Sequence, residues 1–98
     1  MKVLRSTYVH PKNGAAGAVQ ELLDELDGFL SKQPGFIESY ELENTGSLGQ
    51  VSVWESREAA DHAATQAHTI AVRSRIHRLS QPDLREQLLT VTGERHGA

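Results

Sequence analysis

Two histidines, His62 and His68, lie six residues apart and are the side chains best suited to move a proton near neutral pH. A neutral imidazole, with a pKa near ~6.5, could act as a general base and take a proton from an acidic substrate. Six helical residues turn by about 600°, which points the rings about 120° apart, whereas a helical metal pair usually has the spacing i, i+4. We therefore predict His62 as a catalytic base, His68 as a substrate-binding residue and no metal site. The alternative is that both histidines lie on an exposed helix face.

Three aromatic side chains are further candidates for contact with a substrate. Trp54 could line a pocket and offer its indole N–H to a substrate oxygen, which makes it a candidate catalytic donor. Tyr8 and Tyr40 could contribute phenol groups from a sheet to substrate binding. For each of them the alternative is an ordinary packing role in the core or on the sheet.

Two arginines are candidate binding groups for an anion. Arg5 lies within a strand-forming stretch, where a charged side chain needs a partner, either a carboxylate such as Glu38 or a substrate anion. Arg73 begins a basic cluster that could clamp a carboxylate or phenolate, or could simply be a solvated face near a helix C-terminus, where the dipole favours cations. The cluster consists of Arg73, Arg75, His77 and Arg78.

The stretch from 35 to 68 contains the elements that must position these residues. Residues 36–42 and 48–55 are rich in strand-forming side chains, and the sequence from Asn44 to Ser47 supplies the turn between them. Ser56 is a good N-cap, because its hydroxyl can accept from a free amide of the first helical turn. The sequence therefore predicts a hairpin that leads directly into a helix carrying both histidines.

Other elements flank this hairpin. Residues 2–10 predict a strand, residues 15–32 a helix that ends before Pro34-Gly35, and residues 84–92 a last strand. The first helix has a regular apolar face formed by Val19, Leu22, Leu23, Leu26 and Leu30. The second helix has a narrow stripe formed by Ala60, Ala63, Ala64, Ala67, Ile70 and Ala71, and Val72, Ile76 and Leu79 extend its apolar face. We expect that helix to reach Leu79, with a kink near His68-Thr69.

The order of elements predicts an α+β, ferredoxin-like β-α-β-β-α-β domain over residues 1–93, followed by a flexible tail over residues 94–98. Right-handed crossovers give an antiparallel sheet of order 4-1-3-2 with both helices on one face. The helix-free face retains apolar residues whichever way the strands are phased. We therefore expect a homodimer that is joined through this face.

Composition limits the classes of function. The net charge is −3, which argues against electrostatic binding of nucleic acid. The chain has no cysteine and no glycine-rich phosphate loop, so we expect no metal, flavin or other cofactor. No apolar run approaches about 18 residues, so we expect no membrane segment and a cytoplasmic protein.

The sequence resembles the antibiotic biosynthesis monooxygenase (ABM) family, the dimeric α+β barrels. The resemblance is carried by Pro34-Gly35-Phe36, by the run Val53-Trp54-Glu55-Ser56-Arg57-Glu58-Ala59, and by the helix with His62 and His68. It implies a homodimer of ferredoxin-like protomers, each with a pocket between helices and sheet. Some members of the family oxygenate polyketide-derived quinols or anthrones without metal or flavin.

Other members of the family degrade haem with an Asn, Trp and His triad. In this chain the equivalent positions hold Ser6 or Thr7, Ala63 and Arg73, so haem degradation by that route is not expected. The leading hypothesis is a cofactor-independent monooxygenase that acts on a small aromatic or quinol-type substrate. The alternatives are a non-catalytic dimeric binding or stress-response module and a haem-binding protein that uses His62 or His68.

Overall fold

A computed structural model of the protein describes residues 1–97, which form a four-stranded antiparallel sheet and three helices. The elements are β1 (Val3–Val9), α1 (Ala16–Leu30), β2 (Phe36–Asn44), β3 (Ser47–Trp54), α2 (Arg57–Ala64), α3 (Ala67–Arg78) and β4 (Arg85–Thr90). The strand order is β2-β3-β1-β4, and every neighbouring pair is antiparallel. The predicted α+β ferredoxin-like fold and the predicted sheet order are therefore confirmed.

The helix α1 buries the apolar face that its sequence spacing selects. Its buried residues are Val19, Leu22, Leu23, Leu26 and Leu30, the five residues of the predicted face. They join a core whose other members are Val3, Val9, Leu48, Trp54, Ala60, Ala63, Val72 and Ile76. Each large aliphatic side chain in this core contributes about 1.5–3 kcal/mol by leaving water, so the core holds the helices on one face of the sheet.

Alternation along β1 and β3 decides which residues face the helices. In β1 the side of Val3 and Val9 is buried, and that side also carries Arg5 and Thr7. The register pairs these four residues with Trp54, Leu48, Ser52 and Gln50 of β3, respectively, which are all buried. The helix-facing side of the two central strands therefore contains several polar groups among its apolar residues.

The second helical region is interrupted between α2 and α3, three residues before the predicted kink. Gln66 has an extended backbone (φ −65°, ψ 142°), and side chains satisfy the carbonyls at the end of α2. Thr65 Oγ1 and Gln66 Nε2 each donate at 3.0 Å to the carbonyl of His62, and Thr69 Oγ1 donates at 2.8 Å to the carbonyl of Ala63. The interruption also changes which residues of α3 face the core.

The predicted alanine stripe is accordingly correct in α2 and wrong in α3. Ala60 and Ala63 are buried, whereas Ala67, Ile70 and Ala71 are exposed. After the interruption α3 begins with a new rotational phase, and it is Thr69, Val72 and Ile76 that are buried. Of these three, Val72 and Ile76 were predicted from their spacing.

The hairpin between β2 and β3 is tighter than predicted. Asn44 pairs with Ser47, so the loop consists of Thr45 and Gly46 alone. Gly46 supplies the positive φ of 77° that the turn requires, and Asn44 accepts a 2.8 Å hydrogen bond from the amide of Thr45. As a consequence β2 ends at Asn44 and not at residue 42.

The last strand, β4, ends before the polar C-terminal segment. Val91 continues beside β1 through a 2.9 Å hydrogen bond from its amide to the carbonyl of Lys2, whose ammonium group lies 2.9 Å from Glu94. The predicted flexible tail, residues 94–98, ends at Ala98, which lies outside the described residues.

Candidate functional site

A cavity lies between the sheet and all three helices. The sheet contributes Arg5, Thr7, Gln50 and Trp54, and the helices contribute Leu26, Leu30, Ala60, Ala63, Ala64, Thr69 and Arg73. The volume open to the centre of a water molecule is about 20 Å³. A buried water needs about 10–15 Å³ on this measure, so the cavity has room for roughly one small group. The α2 side of the wall is made of alanines.

Trp54 forms the floor of the cavity and has one polar group. Its side chain is only 1% exposed, and Phe36 packs edge-on against its ring, with the ring centroids 5.5 Å apart. Its indole nitrogen donates a 2.8 Å hydrogen bond to the hydroxyl of Ser52, two residues earlier on the same strand. The structure therefore brings Trp54 to the cavity, with its N–H already bonded inside the protein.

Arg5 reaches the cavity from β1 and is only partly neutralised. One terminal nitrogen of its guanidinium lies 3.4 Å from Oδ1 of Asp61 on α2, a long contact. Its Nε is buried and has no hydrogen-bond partner. The sequence predicted a carboxylate, such as Glu38, or a substrate anion as the partner of Arg5. The carboxylate in contact is Asp61 and not Glu38, which lies on the helix-free side and accepts a hydrogen bond from Tyr40.

Arg73 reaches the same cavity from α3 and is bound to a carboxylate. Its guanidinium donates to Oε2 of Glu86 on β4, and Oε1 of Glu86 lies 2.8 Å from Nε2 of His77. Burial, and then the charge of Arg5, lower the pKa of Arg73 from its ordinary value. Burial, and then the charge of Arg73, also lower the pKa of His77. Two positive side chains thus converge on one small cavity.

Two further polar groups of the wall are satisfied internally. The amide nitrogen of Gln50 donates at 2.9 Å to Oδ1 of Asp27 on α1, and the hydroxyl of Thr69 donates to the carbonyl of Ala63. Both side chains are buried. They hold α1 and α2 in place around the cavity, and the Thr69 hydroxyl and one N–H of the Gln50 amide are used within the protein.

The two histidines lie outside the cavity wall. His62 follows Ala60 by two positions, about 200° around α2, and its exposed ring has Nε2 3.2 Å from the amide nitrogen of Gln66. His68 is also exposed; its Nε2 lies 3.4 Å from Glu25, and its ring contacts Phe29 with the centroids 4.6 Å apart. The structure therefore does not bring either imidazole to Trp54.

The two tyrosines lie on the helix-free face of the sheet. Tyr8 hydrogen-bonds through its hydroxyl to the hydroxyl of Ser47, and its ring contacts His10 edge-on. Tyr40 is 53% exposed and donates a 2.8 Å hydrogen bond to Glu38, which, with the charge of that carboxylate, raises the pKa of the phenol. The sheet separates both residues from the cavity that contains Arg5.

The described part of the chain contains neither a cluster of metal ligands nor a membrane-spanning helix. Over residues 1–97, no group of three or more histidine, aspartate or glutamate side chains is arranged to hold a metal ion. No helix among the same residues has the length and apolar character needed to span a membrane.

Comparison with known proteins assigns the family. The sequence profile of the family described as antibiotic biosynthesis monooxygenase matches residues 3–74, about three quarters of the chain. The chain belongs to the ABM family. No curated protein sequence matches it significantly.

Solved structures agree with the ABM fold. Rv0793 from Mycobacterium tuberculosis is 20% identical, with a TM-score of 0.89 over 98% of this chain and 100% of that one. SnoaB, a cofactor-independent oxygenase from Streptomyces nogalater, is also 20% identical, with a TM-score of 0.82 over 95% of each chain. At this level of identity the likeness shows that the fold is shared.

Within this ABM-family chain, sequence reasoning missed Asp61 and Glu86, the carboxylates that contact the two cavity arginines. Asp61 stands next to His62, and its spacing from Ala64, i and i+3, could have placed it beside the cavity. Glu86 had no local signal, because only the pairing of β4 with β1 brings it towards α3. It also lies beyond the residues that match the family profile.

Proposed function

We propose that this ABM-family protein is a cofactor-independent monooxygenase that oxidises a small aromatic or quinol-type substrate with molecular oxygen. The observation that carries the proposal is the cavity between helices and sheet, which Trp54, Arg5 and Arg73 line together. The family assignment supports it, as does the shared fold of SnoaB, which is a cofactor-independent oxygenase.

The proposed reaction needs no external reductant. An anthrone-type substrate loses a proton from its activated carbon, and the anion passes electrons to oxygen to form a carbon–oxygen bond. A methylene group plus one O₂ gives a carbonyl group plus one water, so the substrate itself supplies the four electrons that O₂ accepts. The protein has to bind the substrate, stabilise its anion and keep bulk water away from it.

The residues take different parts in this proposal. Trp54 offers an aromatic surface to the substrate, and Arg5 and Arg73 stabilise developing negative charge. His62 is the proton acceptor that the sequence predicts, and this assignment requires the substrate to extend beyond α2 to the surface. Tyr8, Tyr40 and His68 keep a binding role only if substrate or a second subunit covers the surfaces on which they lie.

The small volume of the cavity means that an aromatic ring has to displace part of the wall. The wall of α2 contributes only Ala60, Ala63 and Ala64, and α2 ends at the interruption before Gln66. We propose that α2 moves outward when substrate enters. A short helix with small side chains loses little packing on such a movement, because few methyl groups leave contact.

We further propose that the chain forms a homodimer through its helix-free face. That face carries a continuous set of apolar side chains, which are Leu4, Tyr40, Leu42, Val51, Val53 and Leu89. Three of them are strongly exposed in the single chain: Tyr40 by 53%, Leu42 by 45% and Leu89 by 49%. A second copy would cover them and would bring Tyr8 and Tyr40 to the interior of the assembly.

Oxygen consumption with a hydroxylated anthrone tests the proposed activity. Consumption above the rate of spontaneous oxidation, with one atom of labelled oxygen in the product, is the expected result, and it should persist in the presence of a metal chelator.

In Ala64→Leu the added side chain fills the cavity, so we expect turnover to fall about 100-fold, the usual scale for a misplaced substrate. Ala71→Leu, on the exposed side of α3, should behave as wild type. Binding without turnover across quinol and anthrone substrates would instead indicate a non-catalytic binding protein.

A further inference from the structure

The described residues of the cavity contain one buried polar donor without a partner, the Nε of Arg5. The neighbouring groups have partners within the protein: the indole of Trp54, one N–H of the Gln50 amide and the hydroxyl of Thr69 each donate internally. Buried donors are almost always paired, and a donor left free at a cavity calls for a partner from outside the chain. The partner has to be an acceptor, because a guanidinium has no lone pair to offer.

The charges around the cavity favour an anionic acceptor over a neutral one. Arg73 is neutralised by Glu86, which also contacts His77. Arg5 has only Asp61, at 3.4 Å, and the Asp61 side chain is 55% exposed, so water screens its charge. The two guanidinium groups are close enough for the charge of Arg5 to lower the pKa of Arg73. A negative ligand would reduce this repulsion.

We propose that the cavity binds its ligand as an aromatic oxyanion, a carboxylate or phenolate, whose oxygen accepts from Nε of Arg5. The proposal deepens the function proposed above, since it states the charge class of the substrate. The free volume of about 20 Å³ beside Arg5 suits a single oxygen or a carboxylate head. Binding of the anion lowers the pKa of an acidic substrate, so that the site favours the deprotonated form without a base in the cavity wall.

Asp61 has a defined part in this proposal as an internal competitor. Its carboxylate occupies one side of the Arg5 guanidinium when no ligand is bound. A ligand oxyanion that contacts Nε adds a second negative group near the same cation. Removing the charge of Asp61 should therefore strengthen the binding of an anion.

Fluorescence of Trp54 measures binding at this cavity directly, because the chain contains a single tryptophan. The probes are para-nitrobenzoate, para-nitrophenolate at a pH where it is ionised, and the neutral para-nitrobenzamide, all of which quench tryptophan emission. We expect saturable quenching by the two anions and at least about tenfold weaker binding of the amide, since a hydrogen bond to a charged acceptor is much stronger than one to a neutral acceptor. The two anions separate carboxylate from phenolate recognition.

Three variants assign the effect to Arg5. Arg5→Gln should weaken para-nitrobenzoate about tenfold and leave para-nitrobenzamide unchanged, and Asp61→Asn should tighten the anion severalfold. Arg57→Gln, at the exposed start of α2, is the matched loss of one positive charge outside the cavity and should leave both affinities as in wild type. The Asp61 variant changes an exposed side chain, so it gives a result even if Arg5→Gln does not fold.

Equal affinity of wild type for the anions and the amide would overturn the proposal, as would the absence of saturable quenching by either anion. An unchanged or weakened affinity in Asp61→Asn would also contradict it. These results do not depend on turnover. A protein that binds the anions at Arg5 but consumes no oxygen refutes the monooxygenase activity alone, and one that oxidises a neutral substrate without anion preference refutes this inference alone.

Discussion

The indole nitrogen of Trp54 donates to the hydroxyl of Ser52, and both side chains are buried on the helix-facing side of β3. This short-range pair fixes the orientation of the one tryptophan of the chain at the cavity floor. It also explains why a serine, a poor strand former, occupies a fully buried position in a central strand: the buried indole N–H needs an acceptor.

Replacement of Ser52 by alanine should therefore destabilise the protein. The variant leaves the indole N–H of Trp54 buried without an acceptor, which costs about 1–3 kcal/mol. Chemical denaturation of Ser52→Ala compared with Ser74→Ala, an exposed serine on α3, measures the effect. If both variants unfold at the same denaturant concentration, the hydrogen bond does not matter for stability.

Two glycines with positive φ offer a matched test of crowding at the entrance to β2. Gly35 (φ 82°) lies against Ala59, and a Cβ added there would clash with the Cβ of Ala59, whereas nothing lies within 4 Å of a Cβ added at Gly46 (φ 77°). Either alanine substitution costs about 1–2 kcal/mol in backbone strain. Gly35→Ala should cost about 1–3 kcal/mol more than Gly46→Ala because of the clash. Equal losses of unfolding free energy would show that α2 can shift away from Gly35 without a measurable cost in stability.

The acidic residues between α1 and β2 make stability depend on pH. Burial, then a hydrogen bond to Asp24, then the charges of Asp24 and Asp27, raise the pKa of Glu41 above its ordinary value of 4.5. At pH values between 4.5 and the raised pKa of the folded state, the folded protein holds more protons than the unfolded chain. The free energy of unfolding therefore falls as the pH rises from about 4.5 through the folded pKa.

Glu41→Gln should accordingly stabilise the protein at neutral pH by about 0.2–0.5 kcal/mol, the size of an exposed like-charge repulsion. The gain should disappear below the ordinary pKa of glutamate, where the carboxyl group is neutral in both states. Glu43→Gln, two residues along the same strand, is the control. A gain that stays constant over the whole pH range would have a cause other than titration.

The fold could be predicted because its strongest signals are local. The apolar spacing from Val19 to Leu30 and the stop at Pro34-Gly35 define α1, and Ser56 caps α2 as expected, its hydroxyl accepting from the amide of Ala59 at 3.1 Å. The element order then leaves few allowed topologies. The interruption between α2 and α3 depends on side chains that bond to helix carbonyls, which hydrophobic periodicity does not report.

The site was harder to predict than the fold. Trp54, Arg5 and Arg73 were selected by residue type, and the structure brings them together. The histidines were selected by residue type too, but their helical phase directs them to solvent. Both sides of β1 carry apolar residues, so the sequence could not decide which side faces the helices. For the same reason it could not predict that Tyr8 lies on the helix-free face of the sheet.

The assignment of His62 as the base has a direct kinetic test. A positioned base contributes about 10²–10⁴-fold to turnover, so His62→Ala should lower oxygen consumption by that factor if the imidazole takes the proton. His96→Ala, an exposed histidine with no proposed role in binding or catalysis, is the matched control. Equal turnover of the two variants would leave proton removal to water, with the anion stabilised by Arg5.

The helix-free face makes the strongest prediction about assembly. Val51 lies near its centre, between Ser6 of β1 and Tyr40 of β2, so Val51→Asp places a charge in the middle of the proposed interface. Apolar patches of about 400 Å² or more usually mark an interface, and an unpaired charge within one costs several kcal/mol on association. We expect sedimentation at micromolar concentration to give a dimer for wild type and a monomer of 10.8 kDa for the variant. Ser74→Asp, on the exposed side of α3, should remain dimeric. A folded wild-type monomer would refute the dimer, and Tyr8 and Tyr40 would then keep a binding role only if substrate itself covers the helix-free face.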